Sequence, residues 1–515
     1  MTKTELATAL EKLADALGGR AALEAVAVER TVATGWRRHP GWGIDPAKPE
    51  LVADFTATLE LDVAGPRYRW AHQAKTYLVP TELDYVEIGN GSRGHVSGVD
   101  FMFDTRPVDT DIPSWRVAAR LRHFDLTSPL RLVRKMLAPG ADVTVERDGG
   151  GDGGEGAVLT LREFGRPPVR LTVAAATGLP VSVDVTEEHS PLGDAAVRVA
   201  FDDFRRASGV LLPFRVDITI GDLHVHSETR TEATVGESVD DALFESGEAK
   251  IVDSTVEQAA YALHSTEWIM NYVYSGVRFY FDLQTAPVTP EPVDLAPGVK
   301  LVIGPSHNTL VVELPDRLLA VESPMYDDYS RAALAQVKRA FPGKPLHELV
   351  CTHFHYDHVG GVREFAADGD LTVHVGTPSV AFFQRALSAP HEVDPDRLAT
   401  GPVKTTVRGI ADTLTFDTAG GGTVAVHRIV SDHADDMVIV YVSSGKLVFN
   451  SDLWNPTPAP PAPGDQRGRL ATQLYDAIQA LGLDVDTVVG GHRGSDGTTW
   501  AHAAPLEYLK RAAGY

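Results

Sequence analysis

Residues 351–361 of the chain read Cys-Thr-His-Phe-His-Tyr-Asp-His-Val-Gly-Gly. Within six positions the stretch carries four potential metal ligands: His353, His355, Asp357 and His358. An apolar run leads into it and predicts a buried strand, and the glycine pair allows a sharp exit into a helix. On such a turn we expect His353 and His355 to point one way, and Asp357 and His358 towards a neighbouring position. Neutral imidazole and carboxylate are the usual ligands of zinc-like ions, so the loop predicts two adjacent metal sites. The alternative interpretation is a histidine-rich surface turn.

Composition limits the kind of protein that can carry this loop. A chain of 515 residues is long for one core and favours two domains. The net charge of −23 argues against nucleic acid as a partner, since nucleic-acid binding relies on clustered Lys and Arg. It also disfavours an anionic membrane surface, and no apolar run is long enough to be inserted into a membrane. Cys351 has no second cysteine to pair with and is interpreted as a small buried residue.

The N-terminus predicts a helix rather than a targeting signal. Residues 2–17 carry leucines at helical spacing between charged residues, and Gly18-Gly19 ends the pattern. We therefore expect a cytoplasmic protein that acts on a small molecule. Whether the protein forms a homodimer is left open by the sequence.

Residues 29–235 read mainly as strands. Residues 54–63 alternate apolar and polar side chains, as a half-buried antiparallel strand does. A helical stretch at 114–137 interrupts the series. The pattern predicts a large antiparallel curved sheet or half-barrel with helices. The other predicted strands are 67–72, 143–147, 157–162, 169–173, 181–186, 197–204, 214–220 and 224–229.

Several turns and strands of this half resemble a known carrier family. They are Gly178-Leu179-Pro180 before a strand, the strand at 197–204, and Gly-Val-Leu-Leu-Pro-Phe at 209–214. Together they resemble the half-barrel of the lipoprotein carriers (LolA/LolB type). That resemblance implies a concave apolar face for an apolar ligand or substrate tail. A scaffold or dimerisation domain without a ligand is the alternative.

The chain then changes character. Residues 1–250 are predicted to form the β-rich domain, and residues 251–294 a helical and Pro-rich junction with a helix at 254–274. Residues 295–515 alternate strands with helices, which predicts sheets covered by helices. The whole chain is therefore expected to be α+β.

The C-terminal half resembles the metallo-β-lactamase superfamily. The resemblance begins with residues 353–358 and continues in that superfamily's order. His433 stands at a strand-end turn, Asp452 closes an apolar strand, and His492 follows a strand and two glycines. The resemblance implies an αββα sandwich. In most members the strand that here ends at Glu322 closes with Asp.

The resemblance also implies a ligand set and a reaction. It assigns His353, His355 and His433 to one divalent ion and Asp357, His358 and His492 to a second, with Asp452 as the bridge. Zinc is the expected metal, with iron or manganese as alternatives. Asp357 is also the predicted catalytic residue, because it can orient a hydroxide shared by two ions.

Several activities are compatible with such a site. Oxygen-reducing diiron members carry Glu where this chain has His355, so we expect hydrolysis of an ester, lactone, thioester or amide of a small, apolar substrate. The sulfate-binding motifs of the alkylsulfatase branch were not found. The alternatives are oxygen chemistry at an iron or manganese pair, and a metal-stabilised binding protein for a lipophilic ligand. Trp454, Tyr356 and His307 are the predicted substrate contacts.

Overall fold

The computed structural model describes twelve stretches, which form two compact units. The first unit comprises Met1–His39, Leu51–His189 and Asp194–Arg278, and the second comprises Pro40–Glu50, Ser190–Gly193 and Phe279–Tyr515. The predicted helix at 254–274 and the predicted boundary near 250 lie outside the described residues and stay predictions. The described residues are 3–77, 81–100, 107–112, 114–147, 156–163, 166–189, 192–245, 287–289, 291–401, 403–456, 466–495 and 500–515.

The first unit is built on a sheet of thirteen described strands. Strands β1 to β6 follow one another across one half of the sheet and β7 to β13 across the other, and β1 pairs antiparallel with β13 where the halves meet. The predicted antiparallel sheet is confirmed. The strands are β1 (Val28–His39), β2 (Glu50–Asp62), β3 (Arg67–Thr76), β4 (Thr81–Asn90), β5 (Arg93–Val99), β6 (Pro107–Ile112), β7 (Asp142–Arg147), β8 (Ala157–Arg162), β9 (Val169–Val173), β10 (Pro180–His189), β11 (Gly193–Ala207), β12 (Val210–Ile220) and β13 (Leu223–Gly236).

Four described helices accompany this sheet: α1 (Lys3–Leu17), α2 (Arg20–Ala25), α3 (Ser114–Thr127) and α4 (Pro129–Leu137). The helical stretch predicted at 114–137 is confirmed, and it consists of two helices. Ser128 caps α4 by accepting a hydrogen bond from the Arg131 N–H, and Pro129 occupies the first helical position, so a new helix begins there. Apolar side chains of α3 pack with those of β2 to β6, which places one core of the unit between that helix and the sheet.

A buried ionic network lies beside that core. Arg116 donates hydrogen bonds to Glu87 Oε2 and Asp100 Oδ2, both at 2.6 Å, and Tyr68 donates to Glu87 Oε1 at 2.6 Å. Arg120 lies 3.3 Å from the same carboxylate. All of these side chains are inaccessible to solvent. Buried charges are stable only when paired, so the network ties β4 to α3.

The second unit contains two described sheets. In the first, β17, β18, β19 and β20 pair in parallel; in the second, β24 pairs in parallel with β25. The first sheet consists of β14 (Val293–Ala296), β15 (Val299–Ile303), β16 (Asn308–Glu313), β17 (Leu318–Val321), β18 (Leu346–Val350), β19 (Leu371–Gly376) and β20 (Thr405–Ile410). The second consists of β21 (Thr413–Asp417), β22 (Thr423–Arg428), β23 (Val438–Val442), β24 (Leu447–Phe449), β25 (Thr487–Ser495) and β26 (Trp500–Pro505).

Helices cover the outer faces of these two sheets. Val321 and Val350 of the first sheet share a core with Val440 and Phe449 of the second, so the sheets pack face to face. The opposite face of the second sheet packs on α10 and α11. The predicted αββα arrangement is confirmed. None of the described helices combines the length and apolar character needed to cross a membrane. The helices are α5 (Asp327–Ala340), α6 (Tyr356–Val359), α7 (Val362–Ala366), α8 (Val380–Ser388), α9 (Arg397–Thr400), α10 (Gln466–Ala480) and α11 (Leu506–Ala512).

Replacing Glu87 with glutamine is expected to lower the free energy of unfolding of the first unit by about 3–5 kcal/mol at pH 7, because the buried charge that faces two guanidinium groups is removed. Burial opposes ionisation of Glu87, but Arg116 and Arg120 outweigh it and lower its pKa from 4.5 to about 2. This stability is therefore present above pH 4.5 and lost as the pH falls towards 2. The difference between wild type and variant should shrink over that window in urea denaturation followed by circular dichroism.

The matched control is Glu24→Gln, which removes an exposed carboxylate 3.6 Å from Arg20. Its effect should stay within about 0.5 kcal/mol. A Glu87→Gln variant as stable as this control would show that the buried network adds nothing to the stability of the unit.

Candidate metal centre

The predicted ligand residues meet at one edge of the second unit, where several strands end. Residues 353–358 follow β18, His433 follows β22, and Asp452 follows β24. His492 lies within β25, which is parallel to β24, so the two strands point towards the same edge. Loops after strands tolerate variation while the sheet holds their ends in place, which suits a functional site.

The loop after β18 is shaped by its two glycines. Residues Tyr356–Val359 form one buried helical turn, and Val362–Ala366 form the next helix. A Cβ on Gly360 would stand 1.7 Å from the Met325 carbonyl oxygen, and one on Gly361 would stand 1.9 Å from the Ser330 hydroxyl. The glycines are thus required by close packing against residues 325–330, because neither has a positive φ.

One group of donors consists of three imidazoles and a carboxylate. The ligand atoms of His353, His355, His433 and Asp452 all lie within 4.8 Å of one another. His433 Nε2 is 3.2 Å from His353 Nε2 and 3.2 Å from Asp452 Oδ2. His353 and His355 are fully buried. These are the residues that the sequence assigned to the first ion, together with the predicted bridge.

A second group lies beside the first. It joins His307, Asp357, His358 and His492, again with ligand atoms within 4.8 Å of one another. His492 Nε2 is 3.2 Å from His358 Nε2, and His307 Nε2 is 3.1 Å from Asp357 Oδ2. The structure therefore brings together all seven predicted metal ligands and adds His307, which the sequence had suggested as a substrate contact.

Asp452 faces both groups with different oxygens. Its Oδ2 atom is the one near His433, whereas its Oδ1 atom lies 2.9 Å from His492 Nε2 and 3.0 Å from His358 Nε2. A single carboxylate thus contributes one oxygen to each donor group.

The spacing of the ring nitrogens fits a shared ion better than contacts between side chains. Two ligand nitrogens of a tetrahedral zinc site, each at 2.0–2.1 Å from the metal, lie about 3.3–3.4 Å apart. The two observed nitrogen pairs are 3.2 Å apart. In addition, His355 Nδ1 and Asp357 Oδ1 are buried with no hydrogen-bond partner among the described residues. Buried polar atoms are normally satisfied, so these two fit the donors of a bound cation.

A further layer of polar groups holds the ligands in place. Glu322 Oε1 accepts hydrogen bonds from Thr352 at 2.7 Å and Ser451 at 2.5 Å, and Oε2 lies 3.0 Å from His358 Nδ1. The other nitrogen of His358 therefore faces the donor group. Groups that contact the second nitrogen of a ligating histidine fix its orientation. Glu322 stands where the resemblance leads us to expect Asp. Its carboxylate contacts Thr352, Ser451 and His358.

The electrostatics suit a cation. Burial lowers the pKa of His353 well below its usual range and that of His355 to about 3, so both rings are neutral, the form that binds metals. Burial opposes a charge on His358, but Asp452 and Glu322 outweigh it and raise the pKa of that imidazole. The clustered carboxylates therefore stabilise a positive charge at the second donor group.

Two predicted substrate contacts are buried side chains. Tyr356 is fully buried, and Trp454 is 4 % exposed and packs in the apolar core with Leu470 and Leu474. Substrate contact of both residues stays a prediction. The Pro-rich segment after Trp454 was expected to overhang the site, but residues 457–465 lie outside the described residues. Nothing in the sequence marked Pro40–Glu50 as part of this centre, yet Gly43 lies 2.7 Å from His355.

The sequence comparisons agree with this geometry. Residues 303–492 match the sequence model of the metallo-β-lactamase superfamily. A stretch of 58 residues is 36 % identical to a linear primary-alkylsulfatase of Pseudomonas sp.. That stretch is 11 % of this chain and 11 % of the alkylsulfatase, so the match spans about a tenth of that enzyme.

Three solved structures illustrate the range of similar proteins. An inverting sec-alkylsulfatase from Pseudomonas sp. is 16 % identical, with 43 % of this chain and 41 % of that one covered and a TM-score of 0.31. A B3 metallo-β-lactamase with an active-site glutamic acid is 16 % identical, covering 45 % and 92 %, with a TM-score of 0.32. A metallo-β-lactamase from Pontibacter korlensis is 17 % identical, covering 44 % and 97 %, with a TM-score of 0.32. Residues 303–492 thus match the metallo-β-lactamase superfamily in sequence, and they contain both donor groups.

Proposed function

We propose that the protein is a metal-dependent hydrolase with two ion sites that share Asp452. The observation that carries the proposal is the placement of one Asp452 oxygen in each donor group. A structural zinc site is normally closed by four protein ligands around a single ion. Two adjacent donor groups joined by one carboxylate instead match the paired sites of hydrolytic enzymes.

The chain offers a distinct set of donors to each ion. His353, His355 and His433 would hold one, and Asp357, His358 and His492 the other. Imidazole donors favour zinc, with iron and manganese as alternatives. When bound, such ions acidify a water molecule and stabilise the negative charge that develops on the substrate.

Asp357 is the residue we assign to positioning the attacking water. Its Oδ2 atom faces His307 at 3.1 Å, whereas Oδ1 has no hydrogen-bond partner among the described residues. Burial opposes its charge, but His358 outweighs burial and holds the pKa of Asp357 below its usual range. An ionised carboxylate that offers one oxygen to the ion can use its other oxygen to accept a hydrogen bond from water and act as a general base.

The substrate class proposed is a small compound with an ester, lactone, thioester or amide bond, including apolar ones. Sulfate esters are a second candidate, because 58 residues are 36 % identical to an alkylsulfatase. The sequence analysis did not favour alkylsulfatase activity, because the sulfate-binding motifs are absent from it. The match makes this activity a candidate. Oxygen chemistry at an iron or manganese pair is the remaining alternative, and a substrate panel with an oxygen electrode distinguishes the three.

Two metal ions are expected to bind per chain. Chelated, full-length protein would be saturated with zinc, manganese or iron(II) in turn, and the metal content measured by elemental analysis. Asp452→Ala should weaken binding of both ions because each donor group loses an oxygen, whereas His433→Ala should remove one ion. His347→Ala changes an exposed imidazole that contacts the Asp370 carbonyl and should retain both ions. No more than one ion in the saturated wild type would rule out the shared site.

Replacing Asp357 with asparagine is expected to reduce turnover at least about a hundredfold, because the general base is lost while the side chain keeps its shape. The measurement is kcat on whichever ester, lactone, thioester, amide or alkyl sulfate the wild type hydrolyses. Asp417→Asn, which neutralises an exposed carboxylate of β21, should leave kcat within about twofold. Near-normal turnover in Asp357→Asn with an intact fold would remove Asp357 from the reaction.

A further inference from the structure

A segment far away in the sequence contacts both histidine loops of the metal centre. Pro40–Glu50 belongs to the second compact unit, whereas the residues on either side of it belong to the first. The Gly41 carbonyl accepts a hydrogen bond from the Tyr356 N–H at 3.3 Å, directly after His355. The Ile44 carbonyl accepts one from the Asp435 N–H at 2.9 Å, two residues after His433. The segment is therefore attached to the two loops that supply the first donor group.

Gly43, between these two attachments, contacts a predicted ligand directly. Its carbonyl oxygen lies 2.7 Å from His355 Nε2, and its N–H lies 3.2 Å from the same nitrogen. A carbonyl oxygen has no proton to donate, so the shorter contact is a hydrogen bond only if Nε2 carries the proton. The opposite tautomer would place two lone pairs against each other at 2.7 Å. The N–H contact at 3.2 Å would favour the opposite tautomer, but the carbonyl contact is the shorter of the two, so we assign the Nε2–H form to His355.

This tautomer leaves the other nitrogen available for a metal. With the proton on Nε2, the lone pair of the imidazole is on Nδ1. His355 Nδ1 is the buried atom for which no hydrogen-bond partner exists among the described residues. Ligating histidines commonly donate their second N–H to a carbonyl or carboxylate, which fixes both the tautomer and the ring orientation.

We propose that Gly43 is the positioning residue of the first metal site: its carbonyl holds His355 with Nδ1 directed at the ion. The inference rests on the proposed two-ion function and deepens it. It makes Pro40–Glu50 a part of the metal centre. Trp42 supports the same ring, since its side chain is 6 % exposed and its ring centroid is 5.6 Å from that of His355.

The position requires glycine for two reasons. Gly43 has a φ of +110°, which side-chain-bearing residues rarely adopt. A Cβ there would also stand 2.5 Å from Glu50 Cβ, closer than two carbon atoms that are not bonded to each other can approach. Alanine at position 43 must therefore move the backbone, and the carbonyl that faces His355 moves with it.

The test is a cobalt(II) titration of chelated, full-length protein, followed by the visible absorption of the bound ion. The variant is Gly43→Ala. The matched control is Gly343→Ala, since Gly343 has a φ of +81° and open space around its Cβ position. Both variants carry the same strain of alanine at positive φ, but only one of them disturbs the contact with His355.

We expect Gly43→Ala to weaken cobalt binding at one site about 10–100-fold, the usual effect of losing a group that orients a ligand. The other site and both sites of Gly343→Ala should stay within about threefold of wild type. Equal affinities in all three proteins would overturn the role of Gly43. A wild type that binds fewer than two cobalt ions would instead contradict the proposed function itself.

A crystal structure of the zinc-loaded wild type tests the same inference without any variant, in case Gly43→Ala does not fold. The expected result is zinc on His355 Nδ1, with Nε2 within hydrogen-bond distance of the Gly43 oxygen. Zinc on Nε2, or a Gly43 carbonyl turned away from the ring, would overturn the proposal regardless of the titration.

Discussion

The carboxylate of Asp452, held between two groups of imidazoles, is the interaction on which the metal centre depends. Every ion-pair partner of Asp357 and Asp452 among the described residues is a histidine. Buried carboxylates without lysine or arginine partners need another source of positive charge. The rings supply part of it, and a pair of divalent ions would supply the rest while returning the histidines to their neutral form. The charge balance and the donor geometry therefore both support the proposed pair of ions.

Backbone strain is concentrated at the same place. Glu322 and Ser451 have φ values of +71° and +59°, although neither is glycine. Both residues follow strands that end at the metal centre, and the Ser451 hydroxyl donates to the Glu322 carboxylate. Such conformations persist where surrounding contacts compensate for them, and they cluster at functional sites. Here the left-handed backbone brings the carboxylate to Thr352 and His358. The strained backbone at these two strand ends thus helps to orient His358, a predicted ligand.

The sequence predicted strands well where side chains alternate and poorly where they do not. The alternating run at 54–63 lies within β2, whereas β4 and β5 were not predicted. β4 directs Glu87 towards the interior, where its partners are arginines from α3, and β5 contains two glycines. An inward-facing carboxylate looks like a surface residue until its distant partner is known. Trp454, a loop aromatic beside a predicted ligand, packs in the core, which its place in the sequence did not predict. The resemblance to lipoprotein carriers stays a prediction.

The sequence by itself determined which atoms can bind metal. The spacing of residues 353–358 predicted a cluster of donors, and the resemblance to the superfamily added His433, Asp452 and His492 to the prediction. Only the tertiary structure decided how those donors are oriented and which others join them. His307 enters the second group through the meeting of its strand end with His492. His355 is contacted by a carbonyl 312 positions away. A backbone carbonyl is present at every residue, so no sequence pattern can mark the one that folding brings to the ring.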